Sequence, residues 1–337
     1  MRELISVGLA RTGGLRCLEL LRSRPQLLVL NYHRIGDLNA SCHDRGVFST
    51  DADGLDHQLA ALKRRFTVVA PADSLEVIED RYRPREPLVL LTFDDGYRDN
   101  LTNAYPVLRA HKVEAIFFVV TSLAGSADIP WWDRLAAMAR RCAERNISVS
   151  FAGAHPETFE FSPETLGDSI RTVLQAYKRA SPPDQKRLLE AFERAVGPGA
   201  AAPEARLMLD WRDIRELRSG GMTIGVHSHS HPILARLTPE EQRLELSTSK
   251  ALVEEQLGVR ADFVAYPDGA SESYDEASKA AAAASGFRAA FSFCGGTNLF
   301  GGIDRFDVRR TTLHPYSDAE RLRFSVDMLS LGVTRWL

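Results

Sequence analysis

Short, uninterrupted apolar runs alternate along this chain with segments whose apolar residues recur every three or four positions. Leu27-Leu28-Val29-Leu30, Leu88-Val89-Leu90-Leu91, residues 115–120 and residues 222–226 predict strands buried on both faces. Residues 66–69, 263–266, 289–293 and 307–312 predict four more. Between them lie helical patterns. Leu55, Leu59 and Leu62 share one face, and 74–78 reads as a helical turn. Residues 98–111 predict a helix with Pro106 in its interior, where a proline should kink it. Residues 210–219 predict a short helix ending at Gly220-Gly221. Thr238-Pro239-Glu240-Glu241 is a capping box opening a helix that runs to Leu257 and stops at Gly258. An alanine-rich helix over 274–285 and a closing helix over 318–331 complete the pattern. Strands separated by helices imply α/β order with a parallel sheet.

Residues 121–205 break that rhythm. Trp131-Trp132 opens a helix reaching about Arg145, followed by two short strand patterns at 149–151 and 159–161. Ser162 can cap a helix starting at Pro163, and a further helix spans 183–196 before a Pro/Gly/Ala linker at 197–204. The segment 121–205 therefore predicts a mostly helical insertion in a barrel spanning 26–337, with 1–25 as a separate N-terminal helical segment. Its two tryptophans suit either stacking on a sugar face or plain aromatic packing.

Composition narrows the class. Hydrophobic residues make up 44% and charged residues 26%, as in a folded globular protein, and a net charge of −3 gives no basic excess for nucleic acid. The cysteines, Cys17, Cys42, Cys142 and Cys294, form no CxxC pair, which favours a reducing compartment over a disulfide or zinc-knuckle framework. No secretory signal is evident. The expected location is the cytoplasm. Leu15, Leu18, Leu20 and Leu21 with Arg16, Arg22 and Arg24 form a short basic amphipathic pattern, suited to packing on the barrel or to touching the inner membrane face.

The chemistry sits where strands end. The run at 88–93 ends in Asp94-Asp95-Gly96. Neighbouring strand residues face opposite ways, so both carboxylates serve one site only if the chain turns there, and Gly96 permits such a turn. Two carboxylates at a buried strand end repel each other, and a cation or a division of roles removes the conflict. The strand at 222–226 delivers His227-Ser228-His229-Ser230-His231-Pro232. His227 and His231 have the H-x3-H spacing of a two-ligand metal site, while His229 is open to pointing elsewhere. Tyr32-His33 and Tyr266-Pro267-Asp268-Gly269 lie at two more strand ends. In a parallel α/β barrel such ends converge at one mouth. Two histidines and one carboxylate leave a coordination position open, as in catalytic rather than structural metal sites. A metal lowers the pKa of its water toward about 7. A second carboxylate and a further histidine then suit base and acid, a set fitted to amide hydrolysis.

With these residues in place, Thr92-Phe93-Asp94-Asp95-Gly96 and His227-Ser228-x-x-His231-Pro232 resemble the first two signature motifs of the polysaccharide deacetylases, the NodB-homology or carbohydrate esterase 4 group. The resemblance covers about 27–120 and 207–315, not the insertion. It implies a distorted (β/α)7-type barrel, Asp94 as general base, and Asp95, His227 and His231 as ligands of a divalent metal, usually zinc. Two features depart from the pattern. The family's third motif, Arg-Pro-Pro-Tyr-Gly, is Ala265-Tyr266-Pro267-Asp268-Gly269 here, so the arginine that orients the base is missing; Arg309 or Arg310 is the candidate substitute. The acid histidine has two candidates, the late His314 and the early His33. His33 fits the branch typified by biofilm-polysaccharide deacetylases and is preferred.

The resemblance implies a metal-dependent hydrolase removing N-acetyl groups from an amino sugar, in an exopolysaccharide or a lipid-linked glycan precursor. Tyr266, Pro267, Trp131 and Trp132 are the expected substrate contacts. Deformylation, O-acetyl ester cleavage and a non-catalytic glycan-binding barrel are the alternatives; the missing third-motif arginine is what favours the last.

Overall fold

The structure is a computed structural model describing residues 24–154, 156–197, 206–313 and 319–333. The N-terminal amphipathic pattern except Arg24, most of the 197–204 linker and His314 lie outside the described residues. In chain order the strands are β1 (Gln26–Tyr32), β2 (Arg34–Ile35), β3 (Phe48–Thr50), β4 (Thr67–Val68), β5 (Leu88–Phe93), β6 (Ile116–Val119), β7 (Val149–Phe151), β8 (Glu157–Phe159), β9 (Thr223–Val226), β10 (Phe263–Ala265), β11 (Ala289–Phe291) and β12 (Asn298–Leu299). The helices are α1 (Ala52–Leu62), α2 (Pro71–Ile78), α3 (Tyr105–His111), α4 (Trp131–Arg145), α5 (Leu166–Arg179), α6 (Pro182–Val196), α7 (Trp211–Ser219), α8 (Pro239–Leu257), α9 (Glu276–Ala284) and α10 (Ala319–Ser330).

The chain divides into two compact units. The larger, α/β unit holds the described residues up to Gly36, Ser49–Gly125, and those from Leu209 onward. Its sheet runs β11-β10-β9-β6-β5-β1-β12, with β4 beside the start of β5. All neighbours are parallel except β12, which pairs antiparallel with β1. The strand expected over 307–312 is not a regular strand. It is a connecting segment making isolated parallel bridges, Phe291 to Val308 on one side and Leu30 to Thr311 on the other. Its backbone spans the gap between β11 and β1, with Val308 N–H donating to Ala290 O and Thr311 N–H to Val29 O. The result is a curled, distorted α/β barrel, the fold class that the resemblance implied.

The strands look uniformly apolar because both faces are covered. Leu27, Val29, Leu88, Leu90, Ile116, Phe118, Phe263, Phe291 and Val308 form one cluster, inside the barrel. Leu28, Leu30, Val89, Leu91, Phe117 and Val264 belong to another, packed under the outer helices with Leu55, Leu246 and Leu322. Strand parity therefore assigns each residue to the interior or to the helix layer.

Residues 98–111 do not form one kinked helix. A π-turn, Asn100–Ala104, comes first, and α3 follows with Pro106 at its first turn. There the missing N–H of proline costs no helix bond, so no kink is needed. The helix expected from Pro163 begins later, at Leu166, and Ser162 Oγ meets Thr165 instead, accepting its N–H at 3.3 Å.

The second unit holds Asp37–Phe48 and Ser126–Met208. Its β7–β8 hairpin and α4, α5 and α6 share a core of Leu135, Phe159, Leu188 and Phe192.

Candidate active site

On β5, Leu88 and Leu90 point into the barrel, and parity carries Thr92 and Asp94 to the same side. On β1 the same rule places Asn31 after Leu27 and Val29, and on the connecting segment Arg310 after Val308. These side chains meet. Arg310 is 1% exposed and forks onto Asp94, Nη1 to Oδ1 at 2.7 Å and Nη2 to Oδ2 at 2.8 Å. Asn31 Nδ2 donates to Asp94 Oδ2 at 3.1 Å, and Arg310 Nε donates to Ser292 O at 3.0 Å. Of the two arginines open as substitutes for the third-motif residue, the structure brings Arg310 to Asp94. Asn31 belongs to no motif in the sequence. The signal for both was present: each lies two positions beyond an interior aliphatic.

Burial alone pushes the Asp94 carboxyl upward. The Arg310 guanidinium, with smaller contributions from His227 and His33, outweighs it and holds the group well below the usual carboxylate range. Asp94 is therefore a carboxylate at neutral pH.

Asp95 leaves the strand in a left-handed conformation, φ 72°, followed by Gly96 at φ 81°. That turn lets the adjacent aspartates serve one site. Asp95 Oδ1 lies 3.5 Å from His227 Nε2 and 3.5 Å from His231 Nε2. The three donor atoms fall within 4.8 Å of one another, and all three residues are buried. His227 follows β9, and its Nδ1 is 2.8 Å from Ala265 O. That contact makes Nδ1 the N–H donor and leaves the Nε2 lone pair aimed at the cluster. Burial pushes the His227 imidazole below its ordinary value despite Asp94 nearby, which favours the neutral form that could offer its Nε2 lone pair to a metal. His231 reaches the same place because Ser228 and His231 both adopt left-handed backbone, and Ser228 Oγ accepts the His231 N–H at 3.0 Å. His229 points away, with Nδ1 2.9 Å from Thr121 Oγ1.

The donor set fits a divalent metal. Tetrahedral bonds of about 2.0–2.1 Å imply donor separations of about 3.4 Å, close to the two distances from Asp95 to the histidines. Two neutral nitrogens and one carboxylate oxygen suit zinc or another borderline cation.

His33 is half-buried at the end of β1, its ring edge-on to Phe293 with centroids 6.4 Å apart. Its charge, when protonated, is felt by Asp94. The other expected contacts behave differently. Tyr266 is fully buried, stacks on Tyr274 at 4.7 Å and donates its hydroxyl to Phe306 O at 3.0 Å, and Pro267 is buried beside it. Their surroundings give both a packing role rather than an exposed contact surface. Trp131 and Trp132 belong to the second unit. Trp131 stacks on Tyr177 at 4.0 Å, and Trp132 is buried edge-on against it.

The family model described as Polysaccharide deacetylase matches residues 81–290. This chain belongs to the polysaccharide deacetylase family. "Putative polysaccharide deacetylase YxkH" of Bacillus subtilis (strain 168) is 30% identical over 95 residues, 28% of this chain; the match spans about a third of that relative, 32%. Two solved structures share the fold. The Streptococcus pyogenes deacetylase PplD, in complex with acetate, is 17% identical with a TM-score of 0.57 over 91% of this chain and 98% of its own. IcaB from Ammonifex degensii is 19% identical, also with a TM-score of 0.57, over 91% and 97%. Among the described residues no helix is long and apolar enough to cross a membrane.

Proposed function

We propose that this polysaccharide deacetylase is a metal-dependent amide hydrolase that removes N-acetyl groups from an amino sugar of a glycan. The observation that carries the reading is the buried Asp94 carboxylate, held by Arg310 beside the Asp95, His227 and His231 donors. Those three residues would hold the metal. Zinc is the proposed ion; when bound it supplies a Lewis acid for the acetamide carbonyl and an acidified water.

Asp94 is the proposed base. It stays ionised at neutral pH, is fixed by three side-chain hydrogen bonds, and takes a proton from the attacking water. Arg310 orients the carboxylate by its fork and keeps it ionised in the resting site, ready to accept that proton. His33 is the proposed acid, delivering a proton to the departing amine nitrogen. Without that proton an amide leaves as a poor, strongly basic anion, so acid assistance matters more here than for an activated ester. A binding-only barrel was favoured by a base lacking its arginine; the Arg310 fork takes that argument away.

The test is a matched release assay on the metal-loaded protein, using glucosamine oligomers carrying N-acetyl, N-formyl or O-acetyl groups. The expected result is acetate released from the N-acetyl oligomer with one free amine per acetate. Release from the formyl or O-acetyl substrate alone would overturn the choice of bond. Saturable binding without release of any acid would restore the binding-only reading.

A further inference from the structure

The strand end that carries His33 is held by side chains from the segment that carries the two aspartates. β2 pairs on one side with β3, and His33 N–H donates to Ser49 Oγ at 2.9 Å. On the other side, buried or half-buried peptide groups need partners. The π-turn and the residue before it provide them. Asn100 Nδ2 donates to His33 O at 2.6 Å, and Asn103 Nδ2 donates to Ile35 O at 2.6 Å. Asp99 Oδ1 accepts Ile35 N–H at 3.1 Å, and its other oxygen accepts from Arg34 Nε at 2.8 Å. Asp94 N–H closes the group by donating to Tyr32 O at 2.8 Å.

Three side chains within five positions thus take the place of a neighbouring strand. The wider winding of the π-turn, Asn100–Ala104, puts Asn100 and Asn103 on the side of β2; such turns recur at functional sites. Asn100 is fully buried, and its amide nitrogen donates only within this group, to His33 O and, at 3.3 Å, to Asp99 Oδ1. The consequence is geometric. The backbone of His33 is tied to residues only a few positions beyond Asp94 and Asp95, not through the whole thickness of the barrel.

We infer that Asn100 and Asn103 are positioning residues that act through the carbonyls of His33 and Ile35 to hold the His33 imidazole where a leaving amine takes its proton. This rests on the reading of His33 as the acid given above.

The experiment compares wild type, H33A, N100A, N103A and H33A/N103A, all metal-loaded, on an N-acetylglucosamine oligomer and on 4-nitrophenyl acetate. The aryl ester leaves as a stable anion and needs no acid. The expected result is a fall in kcat on the amide of about 10- to 100-fold for N100A and N103A, within the range an acid contributes. KM and metal content stay unchanged, and ester turnover is largely spared. H33A/N103A should be no slower than H33A, because Asn103 works through His33. Asn103 is only half-buried, so N103A carries the test if N100A fails to fold. Parallel loss of amide and ester turnover, or a loss that adds to that of H33A, would overturn the positioning role. Normal kcat in both asparagine variants with a slow H33A would overturn it while leaving the acid reading intact. Normal amide turnover in H33A would overturn both.

Discussion

Arg310 grips Asp94 with both arms of its guanidinium across 216 positions of sequence, at 2.7 and 2.8 Å. The contact joins β5 to the segment that closes the barrel, so one ion pair serves the proposed base and the closure together. Both partners are almost fully buried, and such a pair tolerates the loss of neither member.

R310A should therefore fail twice. A buried carboxylate left without its cation costs about 3–5 kcal/mol of stability, read as a fall in the denaturation midpoint. R310K should keep more of the fold but lose the fork, lowering kcat by on the order of 10-fold or more with KM little changed. A fully active R310K would show that the orientation of Asp94 does not matter.

Removing one donor from the Asp95, His227, His231 cluster should remove the metal. Wild type, dialysed against zinc, should hold one ion per chain by elemental analysis. D95N and H231A should hold markedly less. At a free zinc concentration of 100 times Kd, wild type should gain about 2.7 kcal/mol of stability that H231A lacks. Equal metal content in all three proteins would place the ion elsewhere.

Acid should remove one specific contribution to stability. Glu79 meets Arg288 through two bonds, at 2.9 and 2.6 Å, and chiefly through that contact its carboxyl lies below its ordinary 4.5. The unfolded chain therefore binds the proton more readily than the folded one. The contribution is fully present above about pH 4.5 and fades as pH falls through the folded value. E79Q should be less stable than wild type at pH 7, by about 1 kcal/mol or less for a pair partly in solvent. The gap should narrow as pH falls below 4.5. A gap that widens in acid would contradict the assignment.

Much of the site was legible because its chemistry is local. Asp94-Asp95-Gly96 and His227-x3-His231 each place two groups within a few residues, and each follows an apolar run that marks a strand end. What the sequence left open depended on long-range closure. Arg309 and Arg310 are adjacent and alike, and only the interior placement of Val308 decides which faces Asp94. The segment around them makes isolated bridges rather than a ladder, so strand propensity described it poorly. Pro106 read as a kink because the π-turn before α3, which moves it to a helix start, has no apolar signature. The stacking of Tyr266 on Tyr274 is not legible in the sequence, because a tyrosine at a strand end can face either way and its partner lies in the next segment.

If Asp94 is the base and the three neighbouring donors hold the metal, D94N separates the two roles. The measurement is acetate release from an N-acetylglucosamine oligomer, taken with the metal content of the same sample. The amide keeps the shape of the side chain but leaves Arg310 without its counter-charge, so D94N should show a lower denaturation midpoint, one metal per folded chain and turnover lowered by about 10²- to 10⁴-fold. Near-normal acetate release by metal-loaded D94N would contradict it.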